Sequence, residues 1–147
     1  MNPIKAVYPK SSSPCYCLNL RRASKAVTQL YDAVLKPSGL TVAQLALLSN
    51  LAAAEPVTIN GLAKILRVDR TTLNRNMKPL VDACYIEINP GKDSRTRQIT
   101  LTKRGQDAAA SGMVLWKEAQ KTMKEYLGNE DLATLKQLLA KLEALVP

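Results

Sequence analysis

The chain has 147 residues, 46% of them apolar and 22% charged, which is enough for one domain with a real core and too apolar for a disordered segment. Lys and Arg outnumber Asp and Glu by 21 to 12, a net +9 that points to a polyanionic partner, either nucleic acid or an acidic membrane surface. Histidine is absent, so Ser/His/Asp, Cys/His and HExxH sites are excluded, and no GxxxxGK[ST] or GxGxxG phosphate cradle occurs.

No run of eighteen apolar residues exists, and the opening MNPIKAVYPKSSSP lacks the apolar centre of a secretion signal; a cytoplasmic protein with no membrane partner is expected. Cys15, Cys17 and Cys84 cannot all pair with one another, and a reducing compartment keeps them as thiols. Neither an enzymatic activity nor a cofactor nor a metal site is expected.

Residues 1–14, rich in Pro and Ser, read as a flexible arm, and 15–147 as a single domain. From Cys15 to Lys36 the apolar residues Leu18, Leu20, Val27, Leu30, Tyr31, Val34 and Leu35 recur at helical intervals, stopping at Pro37-Ser38-Gly39. Thr41 caps a second helix, apolar on nearly every side through Val42, Leu45, Leu47, Leu48 and Leu51, and therefore central. Thr58 caps a third, shorter helix with Ile59, Leu62, Ala63, Ile65 and Leu66 inward. Asp69 caps a fourth after only a few residues, and two short helices joined this tightly form a helix-turn-helix.

On the fourth helix Leu73, Met77, Leu80 and Val81 form the inward stripe, which leaves Arg70, Thr71, Thr72, Asn74, Arg75, Asn76 and Lys78 facing out. Pro79 lies inside this helix and removes one backbone bond. Two alternating runs follow, Tyr85-Ile86-Glu87-Ile88 and Gln98-Ile99-Thr100-Leu101, separated by Asn89-Pro90-Gly91 and a charged loop; they predict a hairpin with a long basic tip. Thr102 caps a fifth helix carrying Met113, Leu115, Trp116, Ala119, Met123 and Leu127, and Asn129 a last one carrying Leu132, Leu135, Leu138, Leu139, Leu142 and Leu145. These terminal helices hold more Leu than a lone chain can hide, so a second subunit is expected over them.

The expected fold is thus mainly α with a small β hairpin, a winged helix-turn-helix over 41–102 flanked by dimerisation helices at 15–36 and 103–147. Residues 64–104 hold ten Lys or Arg against four Asp or Glu, so most of the excess charge falls on the segment that such motifs present to double-stranded DNA. Arg pairs bidentately with guanine and Asn with adenine. Arg95 and Arg97 on the loop would enter the minor groove, Lys92 would meet phosphate, and Asp93 would hold the Arg95 side chain extended. A non-specific architectural DNA-binding protein is the alternative. A single-stranded RNA binder is disfavoured, since there is no Phe and only one Trp for stacking.

The wing residues Asp93-Ser94-Arg95, Leu101-Thr102 and Gly105, together with LAKILRVDRTTLNRNMKPL, resemble the MarR family of bacterial transcription regulators over roughly residues 15–145. The resemblance implies an obligate homodimer joined by its first and last two helices, repression by binding a palindromic operator, and recognition through Arg70, Thr71, Thr72, Asn74, Arg75, Asp93 and Arg95. Relatives often carry Gly at the end of the recognition helix. Here that place falls to Cys84, which tolerates a left-handed backbone poorly. The family also implies a small phenolic or aromatic effector between the dimer helices and the DNA-binding lobe, with Arg21, Arg22 and Tyr31 as polar candidates. Cys15 and Cys17 open the first helix one turn from Arg21 and Arg22, an electropositive setting for a thiol. Family members that sense hydroperoxides carry a reactive cysteine near the position of Cys17 and a tyrosine near that of Tyr31. Inert packing is the competing reading for these thiols.

Overall fold

Among the described residues, capping side chains set the start of all five α-helices. The computed structural model describes residues 9–91 and 96–147, and in it α1 (Tyr16–Leu35) begins where the Cys15 sulfur accepts from the Leu18 amide at 3.5 Å. A short 3-10 turn at Lys36–Ser38 ends on Gly39, whose φ of 76° is open to a residue without a Cβ. Thr41 starts α2 (Val42–Ala54) with a reciprocal capping box: its hydroxyl accepts from the Gln44 amide, and the Gln44 side chain accepts from the Thr41 amide. Thr58 caps α3 (Ile59–Leu66) through the Gly61 amide, Asp69 caps α4 (Arg70–Asp82) through the Thr72 amide, and Thr102 caps α5 (Lys103–Glu143) through the Gly105 amide. Each of these side chains satisfies an amide that the first turn of a helix otherwise leaves without a partner.

Helix α2 is the hub, touching α1, α3, α4, α5 and the sheet. Its Leu45, Leu47, Leu48 and Leu51 are buried with Leu35 of α1, Leu62 of α3, and Leu73 and Leu80 of α4. The face of α2 that meets water is made of small residues, Ala43, Ala46, Ala52 and Ala53, so its large side chains all point inward. Gly112 of α5 lets the hub come close, because a Cβ there would lie 2.8 Å from the Leu45 side chain.

The hairpin strands β2 (Ile86–Pro90) and β3 (Arg97–Leu101) pair antiparallel with Ile88 opposite Ile99 and Ile86 opposite Leu101. A third strand that the sequence pattern does not announce, β1 (Val57–Thr58), pairs on the other side of β3, giving the order β1-β3-β2. Two residues are too few to show an alternation, which is why only the hairpin is predicted. Beyond the end of β1 the Leu101 amide donates to the Glu55 carboxylate at 2.7 Å, so a side chain finishes the edge that the short strand leaves open.

Several expectations are corrected. Val81 and Ile65, assigned to inward stripes, are exposed; on helices this short the buried arc is narrow, and both fall at its margin. Cys84 does adopt the left-handed conformation, φ 62°, and Arg67 at the end of α3 does so too, φ 54°. Both close a Schellman motif: Cys84 N–H donates to Val81 O and Tyr85 N–H to Leu80 O, while Arg67 N–H donates to Lys64 O and Val68 N–H to Ala63 O. The four hydrogen bonds hold two non-glycine residues where glycine is usual. Pro79 lies inside α4 as expected, and the helix runs on to Asp82. The division between the two C-terminal helices falls at Gly128, φ 80° and ψ 164°, one residue before the predicted cap Asn129.

Candidate nucleic-acid interface

The outward face of α4 is displayed as its apolar stripe requires. Leu73, Met77 and Leu80 face the core, so Arg70, Thr71, Asn74, Arg75 and Lys78 are exposed and Thr72 and Asn76 half-buried. Thr72 differs from its neighbours. Its hydroxyl donates to Asp69 Oδ1 at 2.5 Å and its amide to Asp69 Oδ2 at 3.0 Å, which commits it to building the start of the helix. The same two bonds, the hydroxyl first, hold the Asp69 carboxyl below the usual aspartate range.

The wing is held to the body on both sides. On one side the Thr102 amide donates to Tyr85 O at 3.1 Å, the Thr102 hydroxyl donates to Cys84 O at 2.6 Å, and the Arg104 guanidinium lies 5.5 Å from the centre of the Tyr85 ring. Gly105 packs so tightly there that a Cβ would come within 2.0 Å of the Tyr85 carbonyl oxygen. On the other side stands the Glu55 carboxylate. At the outer end the Gly91 amide donates to Thr96 O, and Arg97 is exposed at the start of β3. Lys92, Asp93 and Arg95 lie outside the described residues.

Arg70, the first residue of α4, and Arg97, the first of β3, line one cleft of about 140 Å³ together with Thr58, Ile59, Asn60 and Thr96. Helix α4 and the base of the wing therefore open onto a common side. Asn60 escaped the sequence reading; its position directly after the Thr58 cap, polar in the first turn of a mostly apolar helix, was the available signal.

The proposed sensor residues are scattered by comparison. Arg21 and Arg22 are exposed on α1, as are Cys15 and Cys17. Tyr31 is buried, its hydroxyl donating to Gln120 Oε1 of α5, and burial pushes its phenol above the ordinary tyrosine range. Thus Tyr31 serves as a strut between α1 and α5. A second cleft, on α5, is lined by Asn129, Leu132, Ala133, Lys136 and Gln137; neither cleft includes Arg21, Arg22 or Tyr31. Among the described residues no cluster of three metal-ligating side chains occurs, and no helix is long and apolar enough to cross a membrane.

A three-stranded sheet whose hairpin flanks a helix-turn-helix defines the winged helix class. The family model described as the MarR family matches residues 38–96. The M. tuberculosis transcriptional regulator MosR, solved in complex with DNA, is similar at 32% identity and TM-score 0.72, with 87% of this chain and 98% of that one covered. E. coli MarR is similar in its apo form at 25% identity and TM-score 0.68, covering 89% and 98%. A cysteine-to-serine mutant of E. coli MarR, complexed with operator DNA, gives 26% identity and TM-score 0.75, covering 84% and 89%. No curated protein matches. The chain belongs to the MarR family of transcription regulators.

Proposed function

We propose that the protein is a homodimeric, sequence-specific repressor that binds a palindromic operator in double-stranded DNA. The observation that carries this reading is the shared side of α4 and the wing: Arg70 and Arg97 meet in one cleft, while Asn74, Arg75 and Lys78 stand exposed along the same helix. That arrangement suits a helix laid in the major groove with the wing beside it on the backbone. Arg75 and Asn74 carry the bidentate chemistry that distinguishes guanine and adenine. Thr72, spent on its cap, reads no base. The DNA-bound structures of MosR and MarR support the same orientation here.

The homodimer is supported by the terminal helices, where Leu138, Leu139, Leu142, Leu145 and Val146 are exposed, Leu145 at 78%. Apolar surface of this extent on a soluble chain marks an interface. Release from DNA is assigned to a small aromatic effector or to oxidation of Cys15 and Cys17. The second route has one specific support, since the Cys15 sulfur is itself the N-cap of α1 and its oxidation would disturb the start of a dimerisation helix.

Selection of bound sites from random duplexes, before and after peroxide treatment, tests the reading. Enrichment of a palindrome that Arg75→Ala relaxes, and that peroxide releases from the wild type but not from Cys17→Ser, is the expected result. Equal binding to every duplex would favour an architectural protein instead.

A further inference from the structure

We infer that Glu55 is a positioning residue for DNA binding: its carboxylate seats the root of the wing on α2 and so decides where the outer end of β3 meets the duplex. This step rests on the duplex-binding reading above and names the side chain through which the body of the protein aims its wing.

The register of the sheet shows why an acceptor is needed at this place. Thr102 donates to Tyr85 O on the β2 side of β3. Amides alternate sides along an antiparallel strand, so the Leu101 amide turns to the β1 side. There β1 supplies just two pairings, Val57 with Ile99 and Thr58 with Gln98. The same register carried two residues further would set Glu55 opposite Leu101. The backbone has left the strand by then, because Glu55 closes α2, its own amide donating to Leu51 O at 2.8 Å. The side chain takes over: its Oε2 accepts from the Leu101 amide at 2.7 Å, the short distance typical of an ionised acceptor.

What this bond connects gives it a function. On one side is the last residue of β3; on the other is the end of α2, the helix that touches α1, α3, α4, α5 and the sheet. Bonds between β3 and β2 move with the hairpin and do not fix its angle. The Glu55 bond ties the strand to the hub, at a half-buried place where water competes less. Arg97 stands at the opposite end of β3, four residues or about 13 Å away. A strand of this length is a lever. A small rotation at the Leu101 end is magnified at Arg97, so one hydrogen bond at the root governs a contact made at the outer end.

The test uses the full chain and a random-sequence duplex, with two variants that separate geometry from charge. Glu55→Asp keeps the charge on a side chain one methylene too short to reach; Glu55→Gln keeps the length and an accepting oxygen but loses the charge. Glu55→Asp should weaken binding roughly tenfold, the loss of a hydrogen bond to a charged group, and speed hydrogen exchange at the Leu101 amide. Glu55→Gln should stay within about threefold of the wild type, since a neutral acceptor keeps about half the strength of the bond, and should leave that amide protected. Combined with Arg97→Gln, Glu55→Asp should cost less than the two single losses added as logarithms, because a displaced strand no longer delivers Arg97. Losses that simply add would overturn the proposal. So would the reverse order, Glu55→Asp like the wild type and Glu55→Gln tighter, which would mean that the carboxylate acts on DNA through its charge. Should the wild type bind no duplex, the DNA reading fails; faster Leu101 exchange in Glu55→Asp but not in Glu55→Gln would then sustain Glu55 as the anchor of the wing, and equal exchange in all three proteins would end it.

Discussion

The two halves of this molecule bury their apolar residues differently. The lobe from α2 through β3 closes a core within one chain: Leu45, Leu47, Leu48, Leu51, Leu62, Leu73 and Leu80 are all nearly inaccessible. The terminal helices do not. In α1 only Tyr31 and Leu35, at its C-terminal end, are buried, and in α5 the last buried residue is Ala119. A Leu-rich segment that stays wet in a folded chain is unfinished, and what it lacks is another surface. The lobe has its core closed, with Leu35 of α1 and Ala109 of α5 helping to close it; the outer stretches of α1 and α5 are left exposed.

The sharpest break of this contrast pairs two truncations. Leu48→Ala should cost roughly 3 kcal/mol, because Leu48 is fully buried in the core and the cavity it leaves collapses only in part; thermal or urea unfolding reads it. Leu138→Ala, on a residue 52% exposed, should leave the stability of a dilute, dissociated chain unchanged while weakening association. An equal loss from both at all concentrations would mean that the ends are stabilised within the chain. Next in size is Leu142→Glu, which places a charge in the apolar stripe of α5. Sedimentation equilibrium should then report a monomer whose circular dichroism still shows the folded lobe, and a dimer of undiminished affinity would refute the assignment of this stripe.

A smaller effect concerns the start of the recognition helix. The Thr72 hydroxyl and amide depress the Asp69 carboxyl below its ordinary value of 3.8. The sign follows from which form the fold prefers: the cap contributes fully above the unfolded-state value and is lost as pH falls through the lower, folded one, so α4 should loosen only in acid. Asp69→Asn keeps an N-cap of similar quality and should abolish that acid dependence, whereas Asp69→Ala should lose the cap at every pH. Amide exchange at Thr72 and Leu73 distinguishes the three. Acid loosening that persisted in Asp69→Asn would place its origin elsewhere.

The caps explain why so much of the fold was legible. Thr41, Thr58, Asp69 and Thr102 each announce a helix by a local rule, a short side chain that accepts from an amide two or three residues on, and all four do so in the structure. The outward face of α4 was legible because a thirteen-residue helix with one apolar stripe leaves little choice about what faces out. What escaped depends on contacts distant in sequence. The β1 strand exists only because β3 pairs with it, Glu55 is a ligand only because Leu101 arrives beside it, and the cleft joins Asn60, Arg70 and Arg97 from three elements. No spacing rule links those positions.

Cys84 offers the finest comparison, since the left-handed helix end that glycine usually supplies is met here by a residue with a side chain. Its left-handed backbone is enforced by the Schellman bonds from Cys84 and Tyr85 and by the Thr102 hydroxyl on its carbonyl, contacts that belong to the wing and to α5 as much as to α4. A side chain in this conformation costs about 1 kcal/mol. Cys84→Gly should therefore raise the melting temperature by roughly 3 °C for a domain of this size, while Cys84→Val, β-branched and poorer still in this region, should lower it. The Cys84 side chain is exposed, so neither change empties or overfills the core, and the backbone conformation is left as the cause. Stability falling in Cys84→Gly would show that the thiol itself holds the junction between the reading helix and the wing.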